Sequence, residues 1–385
     1  MRRISSIRLP CPKTNIDYSN YWSIFINDEG IIVDLIQDNS EANETKECWD
    51  GDFISPRGVD LQINGGFGLN FSELTLNDLP ILLKLLDRLW IDGIEAICPT
   101  IVSCSLASLR DALSVLRAAR SEVSPTRCKL LGAHLEGPFL NIQKKGAHSI
   151  DFLCQPTISA LSDRISGFEG EIDLVTLAPE LPGAFSVIKE LRRNRIKVCL
   201  GHSKADDQIS KKAFSNGICM ITHTFNAMEG LHHRSPGPIG EAIKSGGVAM
   251  GLIADGIHVH PNIAVLLQSL APKQLVLVSD IIGVYGLDVE LVHWDKRLIF
   301  VRDGSCQLQD GTLAGSAVPL LEGVKRLASW NNEIASSIWS GTIAPRNVLN
   351  PNKTLNSYFL EKPFTQFLRW HVNSDSNELT WQKAE

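Results

Sequence analysis

The residues most suited to chemistry by type and spacing lie in His134-Leu135-Glu136-Gly137-Pro138-Phe139. They follow the apolar run Lys129-Leu130-Leu131-Gly132-Ala133, which reads as a buried strand. Side chains two apart on a strand share a face, so His134 and Glu136 are expected to project together where the strand ends. Gly137-Pro138 then forces a turn. Charged groups are rarely buried without partners, which favours a site over plain packing. The pattern recurs along the chain. His202 closes the run from Lys197, His223 closes the run from Ile218, and Asp280 closes the run from Leu275. A single His at a strand end is ordinarily a hydrogen-bonded neighbour. Two imidazoles and two carboxylates at four strand ends instead form a ligand set for zinc or a similar divalent ion. Two His and one Glu leave a position open for water, as a catalytic rather than a structural metal requires. With Glu136, His202 and His223 on the ion, Asp280 suits a general base that takes a proton from water and returns it to a leaving group. A role for Asp280 as fourth ligand competes with this one without excluding it.

The loops beyond these strands carry further polar groups. His148, in Lys144-Lys145-Gly146-Ala147-His148, is placed to polarise a carbonyl. Asn226-Ala227-Met228 follows His223, and His232-His233-Arg234 comes next; a guanidinium there suits bidentate binding of phosphate or carboxylate. Asp255-Gly256-Ile257-His258 ends another strand. For Arg234 and His258 a solvated loop role is equally open. Asp310-Gly311-Thr312-Leu313-Ala314-Gly315-Ser316 precedes a helix expected over about 316–331, whose first amides would suit an anion.

What must position these groups is an alternation of strands and helices. Strands are expected over about 59–64, 94–100, 129–136, 172–177, 196–202, 218–223, 247–253 and 275–279. Helices are expected over about 76–92, 105–120, 182–194, 204–216, 238–245, 261–270 and 316–331. Eight such strands imply an α/β fold, a TIM-like (β/α)8 barrel, with an open doubly wound sheet as the alternative. No Gly-x-Gly-x-x-Gly turn opens a helix early and no Walker-type sequence occurs, which weakens nucleotide-binding versions of that alternative. The barrel is assigned to 56–339. Residues 1–55, with strands at Trp22 to Ile26 and Gly30 to Ile36 around a hairpin turn and a polar loop from Asp38 to Glu47, are expected to join 340–385 in one small β domain.

Composition is ordinary for a soluble globular protein. The 385 residues are 44% hydrophobic and 21% charged, with a net charge of -6 and no basic cluster, which argues against a nucleic-acid partner. The nine cysteines are scattered, odd in number and free of C-x-x-C pairs, as reduced thiols of a cytoplasmic protein would be. There is no apolar signal region after Met1 and no long apolar run, so no membrane span is expected.

Taken together, Gly58-Val59-Asp60-Leu61-Gln62-Ile63-Asn64-Gly65-Gly66, His134 to Phe139, Lys145 to His148, Leu177-Ala178-Pro179-Glu180, Gly201-His202-Ser203, Thr222 to Met228, Asp255 to His258 and Asp310 to Ser316 resemble the N-acetylglucosamine-6-phosphate deacetylase family of the amidohydrolase superfamily. The resemblance spans about residues 50 to 320. It implies a metal-dependent barrel with a small β domain from both termini, usually a homodimer, that hydrolyses N-acetylglucosamine 6-phosphate to glucosamine 6-phosphate and acetate. It implies that Glu136, His202 and His223 hold one divalent ion per subunit, with zinc ahead of iron, manganese and cobalt, and that Asp280 is the acid/base. His148 would sit at the acetyl carbonyl. Ala147, Asn226, Ala227, Arg234, His258 and the Leu313-Ala314-Gly315 backbone would bind the sugar phosphate. Gln62-Ile63-Asn64 stands where many superfamily members have His-x-His, which favours one ion over two. A deacetylase for another N-acyl sugar phosphate, such as N-acetylgalactosamine 6-phosphate, and a non-catalytic sugar-phosphate-binding protein are the alternatives. The chain departs from the pattern at Ile281-Ile282, which are expected to narrow the site, and in its C-terminal segment.

Overall fold

The computed structural model describes residues 1–12, 20–38, 47–295, 297–302, 304–373, 376 and 378–385. The expected polar loop between Asp38 and Glu47 lies outside the described residues.

One parallel sheet holds the strands Gly58–Ile63, Ile94–Val102, Ala133–Glu136, Ile172–Leu177, Lys197–Leu200, Ile218–Ile221, Ala249–Leu252 and Leu275–Leu277, and their order in space is their order in the chain. Its two ends meet. The Asp280 N–H donates to Gln62 O at 2.8 Å, the Asn64 N–H donates to Ile281 O at 2.8 Å, and Ile63 bridges Ile281 in parallel. The result is the expected (β/α)8 barrel. Helices such as Leu106–Ser121 and Ala184–Arg193 cover its outside with apolar stripes, and Ser105, Thr157 and Asp206 cap helix starts by accepting backbone N–H groups.

Inside the barrel, Leu61, Cys98, Leu174, Cys199, Met220 and Val276 pack together. Burying each Leu fully contributes about 1.5–3 kcal/mol. Helices Ile334–Thr342 and Ala344–Leu349 run past the boundary at 339, and Ala344, Trp339 and Val348 pack into this same interior cluster.

A second difference follows the last barrel strand. An antiparallel sheet of Leu291–Trp294, Arg297–Arg302, Ser305–Gln307 and Leu313–Ser316 intervenes before helix Leu320–Asn331. The stretch before the helix is therefore a strand, not a helix N-terminus. The helix starts late because Pro319 disfavours helical backbone at the residue before it. The termini form two small sheets, Arg2–Ile7, Trp22–Ile26, Ile32–Gln37 and Phe53–Pro56, Phe367–Val372, Leu379–Lys383. Ile4, Ile24, Trp49, Phe359 and Phe367 give residues from both ends one common core. Among the described residues no helix is long and apolar enough to cross a membrane.

Candidate active site

Glu136, His202, His223 and Asp280 come together, buried, where their strands end. His202, His223 and Asp280 have left-handed backbone, with φ of 49°, 26° and 49°. Such conformations cost about 1–3 kcal/mol each at non-glycine residues and persist only where surroundings enforce them. Here the chain leaves the strand abruptly at each of the three.

Glu136 Oε1 lies 2.9 Å from His223 Nε2 and 3.3 Å from His202 Nε2, and the two nitrogens are 3.0 Å apart. Ligands at about 2.0–2.1 Å from a tetrahedral ion stand roughly 3.3 Å from one another, so these three atoms match one face of such a tetrahedron. The His202 Nδ1 donates to Lys144 O at 2.8 Å, which leaves Nε2 unprotonated as a ligand. Among the described residues His223 Nδ1 is buried without a hydrogen-bond partner. His148 Nε2 is 3.7 Å from the other Glu136 oxygen, and Glu136, His148 and His202 are also close enough to share an ion. The grouping with His223 is tighter, because both its imidazoles meet one carboxylate oxygen.

Burial pushes the Glu136 carboxyl up, but the surrounding imidazoles of His148, His202 and His223 reverse this and hold it well below the usual range. Burial, and then His148, pushes His202 down to about 4. For His223 burial is outweighed by Glu136, and its pKa rises. Burial and then the Glu136 charge lift Asp280 to about 6. Gln62 Nε2 donates to Glu136 Oε1 at 3.2 Å and to Asp280 Oδ1 at 3.1 Å, while Asn64 Nδ2 donates to the same Asp280 oxygen at 2.7 Å. The Gln62 amide thus bridges the two carboxylates, and the Asn64 amide holds Asp280 alone.

His134 does not join this group. Its Nδ1 meets Leu61 O at 3.2 Å and its Nε2 meets Thr176 Oγ1 at 2.6 Å, one step deeper in the barrel. It shares the face of Glu136 as expected, but both its nitrogens are engaged within the packing. Burial pushes it down to about 4.

A cavity of ≈ 370 Å³ opens over these groups. Ala147, His148, Asn226, Ala227, His258, Leu313, Ala314 and Gly315 all line it. Arg234 does not; it is exposed. His258 is fixed by Asp255, whose Oδ2 lies 2.6 Å from Nδ1, leaving Nε2 free. Ile281 and Ile282 are buried in the core and do not line the cavity, so the expected narrowing is absent. Gly315, at φ 106°, approaches closely enough that a Cβ would lie 2.7 Å from Asp280 O.

Several lining residues escaped the sequence reading. Trp294 and Arg297 come from the antiparallel sheet, which no alternation announced. Arg297 Nη1 donates to Ala147 O at 2.7 Å and so ties this sheet to the His148 loop. Glu180 explains the motif around it. It accepts from Ser203 Oγ at 2.6 Å, Lys204 N at 2.6 Å and Asn141 Nδ2 at 2.9 Å, bracing the loops beyond His202 and Glu136.

Fold and site together define a hydrolase of the amidohydrolase kind, a barrel with a candidate metal centre at the carboxyl ends of its strands. No family model matches the chain. A Mus musculus protein named N-acetylglucosamine-6-phosphate deacetylase is 32% identical over 367 residues, covering 91% of this chain and 88% of that protein. One of the same name from Bacillus subtilis (strain 168) is 33% identical over 283 residues, 72% of this chain and 70% of that one. An N-acetylgalactosamine-6-phosphate deacetylase from Escherichia coli O157:H7 is 30% identical over 310 residues, covering 80% and 81%. The solved N-acetylglucosamine-6-phosphate deacetylase of Thermotoga maritima superposes with a TM-score of 0.79 at 26% identity, over 99% and 98% of the two chains. The chain belongs to the N-acetylglucosamine-6-phosphate deacetylase family.

Proposed function

We propose that the chain hydrolyses the acetamide of N-acetylglucosamine 6-phosphate, releasing acetate and glucosamine 6-phosphate. The observation that carries this is the convergence of Glu136, His202, His223 and Asp280 in one cavity, in a chain 32% identical to a relative named for that reaction. Glu136, His202 and His223 would hold one divalent ion, zinc first. Bound there, such an ion would acidify water and polarise a carbonyl.

The chain's own groups supply the rest. Both amides on Asp280 meet Oδ1, which leaves Oδ2 free to take a proton from the attacking water. A carboxyl near 6 can hold that proton and then pass it to the departing amine. The Ser103 hydroxyl lies 3.0 Å from His148 Nδ1; when it donates, the ring proton stays on Nε2, where it can polarise the acetyl carbonyl. Ala147, Asn226, Ala227, His258 and the Leu313-Ala314-Gly315 backbone would bind the sugar phosphate. Arg234, outside its own chain's cavity, enters this proposal only through a homodimer. The nine free cysteines support a cytoplasmic location.

The test is acetate release from N-acetylglucosamine 6-phosphate and, in parallel, from its galacto epimer, before and after chelation. Metal-dependent release with a higher kcat/KM for the gluco sugar is expected. A preference for the galacto sugar would move the chain to the other named relative's reaction, and no release with metal present would sink both.

A further inference from the structure

A second cavity, ≈ 470 Å³, lies at the opposite end of the barrel. It is bounded by the amino ends of four consecutive barrel strands, at Lys197, Cys219, Ala249 and Val276, and by Ala344 and Val348. Among the described residues four cations line it, Arg192, Arg195, Lys197 and Lys273, and no Asp or Glu does. Among the described residues none of the four forms an ion pair, although the chain as a whole carries a net charge of -6. Like charges gathered without counter-charges repel one another and raise the local potential.

The walls are held in place. Arg192 Nη1 donates to Asn216 O at 2.9 Å, and its side chain lies across Gly217, at φ 101°, where a Cβ would come within 2.4 Å of Nε. Gln274 Nε2 donates to both Ala242 O and Val248 O at 2.8 Å, fixing the Gly246-Gly247-Val248 loop that forms another wall. Structural roles explain Arg192 and Gln274 in part. They do not explain why Arg195, Lys197 and Lys273, all without a carboxylate partner, border the same space.

We propose that this basal cavity binds a small phosphate-bearing anion, separately from the active site. A dianionic phosphoryl group supplies the counter-charge that the four cations lack, and three acceptor oxygens for their N–H groups. The volume exceeds that of the active-site cavity and so admits a phosphorylated sugar as well as the free ion. The inference does not depend on which sugar is deacetylated.

The experiment is competitive acylation of lysines on the intact protein, read peptide by peptide by mass spectrometry. The probes are inorganic phosphate in one arm and glucosamine 6-phosphate in the other. Lys197 and Lys273 are expected to label at least fivefold more slowly with a saturating probe, while Lys189 outside the cavity is unchanged. Protection by the free ion alone would identify a phosphate site, and protection by the sugar phosphate at lower concentration would identify a metabolite site. Equal labelling of Lys197 and Lys273 with and without both probes overturns the proposal. A second measurement uses R195E/K273E, whose side chains are exposed, with calorimetric titration of phosphate. One binding event per chain should disappear while deacetylation persists; unchanged stoichiometry would overturn the proposal independently.

Discussion

At their carboxyl ends the barrel strands run into left-handed backbone at His202, His223 and Asp280 and open onto a cavity. Toward their amino ends the same strands pack Leu61, Leu174 and Met220 against Ala344 and Trp339. The carboxyl ends therefore carry strain and buried charge, while the barrel interior beneath them supplies the apolar burial that offsets them. The difference teaches that the catalytic geometry rests on packing at a distance as well as on its own contacts. Gln62 and Asn64 mark the border, since their backbones belong to the barrel's closure and their amides to the two carboxylates.

If that division holds, substitutions at the two ends should separate chemistry from stability. Glu136→Gln should cost the most. It weakens the one oxygen that both imidazoles meet, and we expect loss of the bound ion and a fall in kcat/KM of about 10³-fold or more, equivalent to roughly 4 kcal/mol. Metal content per chain by elemental analysis reads the first part and acetate release the second. A variant that keeps its ion and its rate would break the comparison. Leu174→Ala, wholly buried at the packed end, should instead lower unfolding stability by about 2–5 kcal/mol with kcat within a few-fold of wild type. Denaturant titration beside steady-state kinetics checks it, and an equal loss in both would mean that the ends are not separable.

Asp60 sharpens the comparison further, because it is a buried carboxyl on the packed side of the border. Burial lifts it to about 7, above its ordinary 3.8. The folded chain then holds this proton more tightly than the unfolded chain. The stability it contributes is present below about 4 and lost as pH rises through about 7. Asp60→Asn keeps an acceptor for the Ser279 N–H, 3.1 Å away, and removes the titration. The variant's advantage over wild type should grow by roughly 4 kcal/mol between pH 4 and pH 8. Unfolding curves at several pH values would show parallel lines if the assignment is wrong.

Much of this was legible in the sequence because strands end where their apolar runs end. Glu136, His202, His223 and Asp280 each close such a run, and a barrel gathers strand ends by topology alone. What was not legible depended on depth and on contacts distant in sequence. His134 has the same period-two phase as Glu136, but one pair deeper its ring meets Leu61 and Thr176 instead of the cavity. Arg234 has the right chemistry for a phosphate, yet its loop carries it to the surface. The sheet from Leu291 to Ser316 consists of short strands with mixed polarity and left-handed turns at Gly304 and Gly311, so neither period stood out, and Trp294 and Arg297 were missed with it. Helix Ala344–Leu349 is too short to show a period, and its place in the barrel interior comes only from packing.

The most direct test of the account is acetate release by Asp280→Asn carrying a full complement of metal. The account predicts one ion per chain, as in wild type, an unfolding midpoint changed by only a few degrees, and turnover of N-acetylglucosamine 6-phosphate reduced about 10²- to 10⁴-fold, the span that general acid/base catalysis supplies. Turnover within tenfold of wild type, with the ion in place, would contradict it, because no other group among those lining the cavity is assigned to carry the proton from water to the departing amine.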